Sequence, residues 1–149
     1  MSDFIGLSST RIGGETKQFS CNTAGLKEGA IVVHDTTAGK NNFVKAPGAA
    51  AATGIAGVIV NAQASGGTAV GDSVDVQYTG VANVLLDGTQ AVTVGDKVIV
   101  SDTDGSCKGL GTTDSCDILG VTLITRTAGA ANELIPVRLQ IQFTGDTVP

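Results

Sequence analysis

The sequence predicts an all-β fold, a compact barrel or sandwich-like domain of short strands, and three observations carry that prediction. The first is an internal repetition. Gly54-Ile55-Ala56-Gly57-Val58-Ile59-Val60 returns 63 positions later as Asp117-Ile118-Leu119-Gly120-Val121-Thr122-Leu123. The same offset aligns Val74-Asp75-Val76-Gln77 with Val137-Arg138-Leu139-Gln140. Upstream of the two copies, Ile31-Val32-Val33-His34-Asp35 and Val98-Ile99-Val100-Ser101-Asp102 are related at an offset of 67. A strand, a small-residue turn and a second strand recurring in order describe a β-module used twice. Second, no stretch of about twelve residues carries apolar groups at helical spacing. Third, β-branched runs separated by glycine-rich turns every 8 to 12 residues or so are the signature of a barrel or sandwich.

Taken in order, residues 1–25 differ from the rest. Phe4, Ile5 and Leu7 form a short apolar cluster ahead of a Gly13-Gly14 hinge. This stretch is read as an N-terminal arm that docks onto a neighbour, with a frayed terminus or an edge strand as the alternatives. The β-rich domain is then residues 26–149. Within it, Ala30 to Val33 is a β-branched strand closed by a turn over Thr36 to Asn42. The four alanines Ala49 to Ala52 have the propensity to start a helical turn, which Gly54 ends quickly. Ile55 to Val60 is a continuous apolar run, the pattern of a strand buried on both faces. Val74 to Tyr78 alternates, which predicts Val74, Val76 and Tyr78 on one face. Val81 to Leu86 and Ala91 to Val94 flank Asp87-Gly88, a tight-hairpin signal. Val98 to Val100 runs into a turn at Asp104-Gly105. Ile118 to Ile124 and Pro136 to Phe143 complete the set, the last alternating Val137, Leu139, Ile141 and Phe143 with Arg138, Gln140 and Gln142. Val70-Gly71-Asp72 and Val94-Gly95-Asp96 each precede a strand. Glycine there permits positive φ, and the aspartate is expected to hold backbone amides entering the strand rather than to catalyse.

Composition limits the functions available. Charged residues make up 15% and aromatics 3% of the 149 residues, a sparse polar surface that implies coverage by oligomerisation or docking. A compact domain with a Thr/Ser/Gly/Ala surface is the simpler alternative. With a net charge of −5 and no basic stripe, nucleic-acid binding is disfavoured. No apolar run approaches the roughly 20 residues of a membrane span, and the first residues lack a basic-then-apolar leader. The chain therefore reads as soluble and made in a cytoplasm. Cys21, Cys107 and Cys116 are odd in number and lack metal spacing, so they read as small apolar fillers, although Cys107 and Cys116 flank one loop.

A search for catalytic or cofactor chemistry yields little. The single histidine, His34, is followed by Asp35, but no Gly-x-Ser-x-Gly elbow accompanies them. Asp102-Thr103-Asp104-Gly105 begins like a calcium loop, yet Cys107 and Thr113 occupy the positions that need Gly and Glu. Gly39-Lys40 fails as a phosphate loop, with His34 at the partner glycine and Asn41 after the lysine. Gly109-Leu110-Gly111 lacks its third glycine, Asp114 standing there. Neither Lys97, between a turn and a strand, nor Lys108 has the setting of a prosthetic-group lysine. No cofactor, metal or catalytic residue is expected, and an enzyme is disfavoured.

Gly29-Ala30-Ile31-Val32-Val33, Ile55-Ala56-Gly57-Val58, Val70-Gly71-Asp72-Ser73-Val74-Asp75-Val76, Gly80-Val81-Ala82, Val94-Gly95-Asp96-Lys97-Val98 and Ile118-Leu119-Gly120-Val121 together resemble the small capsid decoration (cement) proteins of tailed bacteriophages. The likeness covers about residues 26–143. It implies a virion protein on the outer surface of an expanded head, often a trimer at local threefold positions, bridging subunits of the major capsid protein. That family has no catalytic residues to carry over. On this reading Phe4, Ile5 and Leu7 are the expected capsid contacts. A head-fibre base, a tail component or, from a different class, a small β-barrel carrier or enzyme are the competing readings.

Overall fold

The computed structural model describes residues 11–12, 14–37, 39–61, 66–111, 116–129 and 133–143. They form eleven strands and no helix: β1 (Arg11–Ile12), β2 (Thr16–Cys21), β3 (Ile31–His34), β4 (Phe43–Lys45), β5 (Ile55–Asn61), β6 (Ser73–Gln77), β7 (Gly80–Leu86), β8 (Lys97–Val100), β9 (Cys107–Gly109), β10 (Ile118–Thr122) and β11 (Glu133–Gln142). The all-β expectation holds.

The repetition read in the sequence is an architectural one. Strands β2-β4-β3-β5-β6 close into a first barrel. Strands β7-β11-β10-β8-β9 form a second sheet, joined back on itself by the parallel pair Leu86–Cys107. The two correspond pairing for pairing. Parallel β2–β4 matches parallel β7–β9. Antiparallel β2–β6, β3–β4, β3–β5 and β5–β6 match β7–β11, β8–β9, β8–β10 and β10–β11. The loops repeat as well. Thr68 N donates to Leu26 O and Thr68 Oγ1 accepts from Leu26 N across one end of the first barrel, where Val92 and Arg126 exchange backbone bonds in the second.

One cluster of buried side chains fills the first barrel, among them Phe19, Val32, Val44, Ile59, Val74 and Val76. The second cluster is not confined to the second barrel. Ile31, Ile55 and Val58 of β3 and β5 turn outward from the first barrel and pack with Val84, Leu86, Val98, Leu119 and Val137. This explains the unbroken apolar run of β5, which is buried from Ile55 to Val60. One face lines its own barrel and the other is covered by the neighbour. Full burial of each of these three side chains contributes about 1.5–3 kcal/mol. Backbone bonds cross the same junction, from Leu85 N to Gly29 O (2.9 Å), Ile31 N to Gly105 O (2.8 Å) and Ala51 N to Val100 O (2.9 Å).

Three local expectations are corrected. Asp87-Gly88 does not close a hairpin: β7 pairs with β11, and Val92 makes only an isolated bridge with Arg126. The Asp87 carboxylate instead accepts from the Thr89 amide, the Thr89 hydroxyl and the Ser101 hydroxyl, which bends the chain into a loop. Tyr78 does not follow Val74 and Val76 inward. The chain is leaving the first barrel there, so Gln77 is buried and its Nε2 donates to Thr79 O (2.8 Å) and Val81 O (3.0 Å) across the crossover. Ala51 adopts a φ of 55° in a bend rather than starting a helical turn.

Of residues 1–25, those described are built into the body. β2 is a barrel strand between β4 and β6, and β1 lies along β7. Closure of the first barrel needs β2, so residues 16–21 belong to the body. Phe4, Ile5 and Leu7 lie outside the described residues.

The repeated Gly57 and Gly120 leave no room for a side chain. A Cβ on Gly57 would run into the carbonyl oxygen of Gln77, and one on Gly120 into that of Arg138. Gly57 also has a φ of 151°, which side chains avoid. Gly57→Ala and Gly120→Ala are each expected to lower stability by about 2–3 kcal/mol in denaturant unfolding. Gly109→Ala, with open space around it, serves as the control and should be near neutral.

Candidate functional site

The residues that carry chemistry elsewhere are here engaged in holding loops. His34 is exposed and meets the edge of the Phe19 ring, centroids 5.8 Å apart. Asp35 does not orient it. Its carboxylate accepts from the Thr37 amide (3.0 Å) and from Asn22 Nδ2 (2.8 Å). Asp72 and Asp96 are turn residues with matching geometry: each accepts from the amide three residues before it, Ala69 or Thr93, at 2.8 Å. The bonded amide lies behind the aspartate, not in the following strand as the sequence implied. Gly71 and Gly95 both have φ of 94°. Asp117, at the start of β10, reaches into the other module and accepts from the Gly54 amide at 2.6 Å.

Asp102 and Asp104 close the β8–β9 turn, accepting from the Thr103 and Ser106 amides. No group of three potential metal ligands occurs among the described residues. Lys40 lies over the Phe43 ring at 4.8 Å, a cation–π contact at an exposed hairpin. The three cysteines are buried thiols that join the apolar clusters, and no disulfide links Cys107 to Cys116. Burial, then the charge of Asp87, pushes the Cys107 thiol up to about 12, which makes it a packing group rather than a nucleophile.

The surface offers more than the titratable groups do. At one end of the second barrel three aliphatic side chains stand exposed: Val94 at 58%, Leu110 at 39% and Leu123 at 38%. The backbone gathers them from three segments. Gly95 N donates to Thr122 O and Leu110 N to Lys97 O, each at 2.9 Å. Gly95, Asp96, Lys97, Gly109 and Leu110 line a shallow depression of about 310 Å³ between them. In the first barrel the residue aligned with Leu123, Val60, is buried. Sequence reading assigned Val94 and Leu123 to strands and missed this rim. The available signal was the valine leading each Val-Gly-Asp turn, since Val70 is likewise 65% exposed.

The fold is a pair of like β-modules with a shared core and three exposed aliphatic side chains gathered at one end. A family model described as XM1 gp53 minor capsid protein matches residues 3–139, and the chain belongs to that family. It is thus a phage capsid-associated protein, a structural component of the virion. Among solved structures, the N base of head fibre gp8.5 in bacteriophage phi29 is similar in fold. It has a TM-score of 0.57 and 12% identity, covering 85% of this chain and 93% of that one. No curated protein matches the sequence.

Asp35 gives a pH signature. The Thr37 amide, with smaller help from Asn22 and Lys45, holds its carboxyl below the ordinary range. A lowered folded-state value means the stabilisation is complete above the unfolded value, about 4, and is lost as pH falls through the lower folded value. Asp35→Asn should therefore flatten the acid limb of a stability-versus-pH curve below about pH 4, measured by urea midpoints.

Proposed function

We propose that this protein is a capsid decoration protein. It binds the outer surface of the expanded phage head and bridges neighbouring major capsid protein subunits, acting as a trimer at local threefold positions. Membership of a minor capsid family across residues 3–139 carries this reading. The sparse charge and the exposed apolar end of the second barrel support it, because a clamp on a symmetric lattice works through contact area and avidity rather than chemistry. The mechanism is mechanical and non-enzymatic. Two barrels sharing a core form a stiff platform, and many copies together oppose outward strain on the shell. Phe4, Ile5 and Leu7, ahead of β1, act as a contact element on the capsid.

A second reading has one specific observation in its favour. The fold likeness to the phi29 head-fibre base spans 93% of that chain, which suits a base seated on the head and carrying a further appendage.

Co-sedimentation of the purified protein with expanded heads lacking it, against unexpanded shells, tests the proposal. Saturable binding to expanded heads alone, at one trimer per local threefold position, is the expected result. Occupancy restricted to a few positions per head favours the fibre-base reading, and no binding to either shell refutes surface attachment. Removing residues 2–10 leaves β1 and both barrels intact. It is expected to weaken head binding roughly tenfold or more, by loss of three apolar contacts per copy. Unchanged binding would remove the arm from the contact surface.

A further inference from the structure

We propose that the apolar end of the second barrel binds the same end of a second copy of this chain, each copy seating Val94 and Leu123 in the hollow of the next. This is the contact of the trimer proposed above and rests on that reading. Shape is the first observation. The depression of about 310 Å³ at this end is lined by Gly95, Gly109 and Leu110 among others. The two glycines place no side chain in it, and a Cβ on either would meet nothing within 4 Å. Its volume exceeds the roughly 150 Å³ that a benzene-sized group fills, so one aliphatic side chain fits. Val94 and Leu123 are exposed beside the depression, tied to it through the bond from Gly95 N to Thr122 O. A protruding pair and a receiving hollow thus lie side by side on one end of each copy. A face of that kind fits a copy of itself turned about an axis, and the ring closes.

Charge is the second observation. Asp96 and Lys97 are both exposed and both line the depression. Rotation about the axis brings Asp96 of one copy toward Lys97 of the next, so an end that carries both signs complements itself. A partner surface of a single sign would set one of the two against like charge. The first barrel lacks an equal face, since Val60, aligned with Leu123, is buried. The contact is small, three aliphatic side chains per copy. Association in solution is therefore weak, and binding many copies to one shell supplies the remainder through avidity.

Sedimentation velocity of the full chain, from about 10 μM to 1 mM, tests the face. A concentration-dependent step from monomer to trimer is the expected result. Val94→Lys combined with Leu123→Lys removes the protruding pair, and Gly109→Leu fills the hollow at a position with open space. Each variant should weaken association roughly tenfold or more while keeping the parent's urea midpoint. Mixing the two variants then separates this contact from a general loss of stickiness. One variant keeps the hollow and the other keeps the pair, so the mixture should form dimers and nothing larger. A parent that stays monomeric across the range overturns the proposal. So does a trimer that both variants leave intact, which keeps the trimeric reading and moves its contact to another face. Head binding is scored separately by co-sedimentation. Monomeric variants that bind expanded heads as tightly as the parent keep this face and remove the trimer from head attachment.

Discussion

The constraint on which the rest of the molecule depends is that neither barrel buries its own apolar content alone. Strands β3 and β5 are apolar on both faces, and only the second barrel covers the outward one. Ile31, Ile55 and Val58 are members of the larger cluster that is otherwise built from β7 to β11. A five-stranded barrel with so few residues encloses a small interior. Fusing two of them lets the core of the second extend over the outward face of the first. Detached from its partner, the first barrel would expose these three side chains to water, so the two modules are expected to fold as one unit.

Polar groups fix the geometry of that junction. Asp117 of the second module holds the amide of Gly54, its own aligned position in the first, and Gln77 clamps the crossover between them. The β1–β2 ribbon runs along β7 and β6 in succession, so the N-terminal chain tapes the two barrels together on one side. Glu15 anchors the middle of this tape, its amide bonded to Thr79 Oγ1 and its carboxylate accepting from the Tyr78 hydroxyl at 2.8 Å. Aspartates that might have suggested catalysis are spent on loops and turns.

The two modules have diverged at their ends rather than in their pairings. Every ladder of the first barrel has a counterpart in the second, yet Val60 is buried where its counterpart Leu123 is exposed. Duplication explains the shared framework. The difference at the rim lies in this one aligned position and in the exposed Val94 and Leu110 beside Leu123.

The sequence by itself determined the all-β class, the twofold use of a module and the strands β3, β5, β6, β7, β8, β10 and β11. Each of these is written in alternation, β-branched runs or a glycine at a fixed place, and such local signals survive without knowledge of the fold. It determined the turn role of Asp72 and Asp96 for the same reason. The equivalences of β2 with β7 and of β4 with β9 were illegible, because Phe43-Val44-Lys45 and Cys107-Lys108-Gly109 share a pairing position and no residue pattern. Only the tertiary structure decided that Gln77 is buried and Tyr78 is not, since that depends on where the chain crosses between barrels. It alone decided that Asp87-Gly88 bends into a loop, because β7 finds its partners in strands remote in sequence. The exposed rim was equally hidden: Val94, Leu110 and Leu123 look like ordinary strand residues until three separate segments are brought to one end. Exposure is a property of what packs against a side chain, and a single sequence does not state its neighbours.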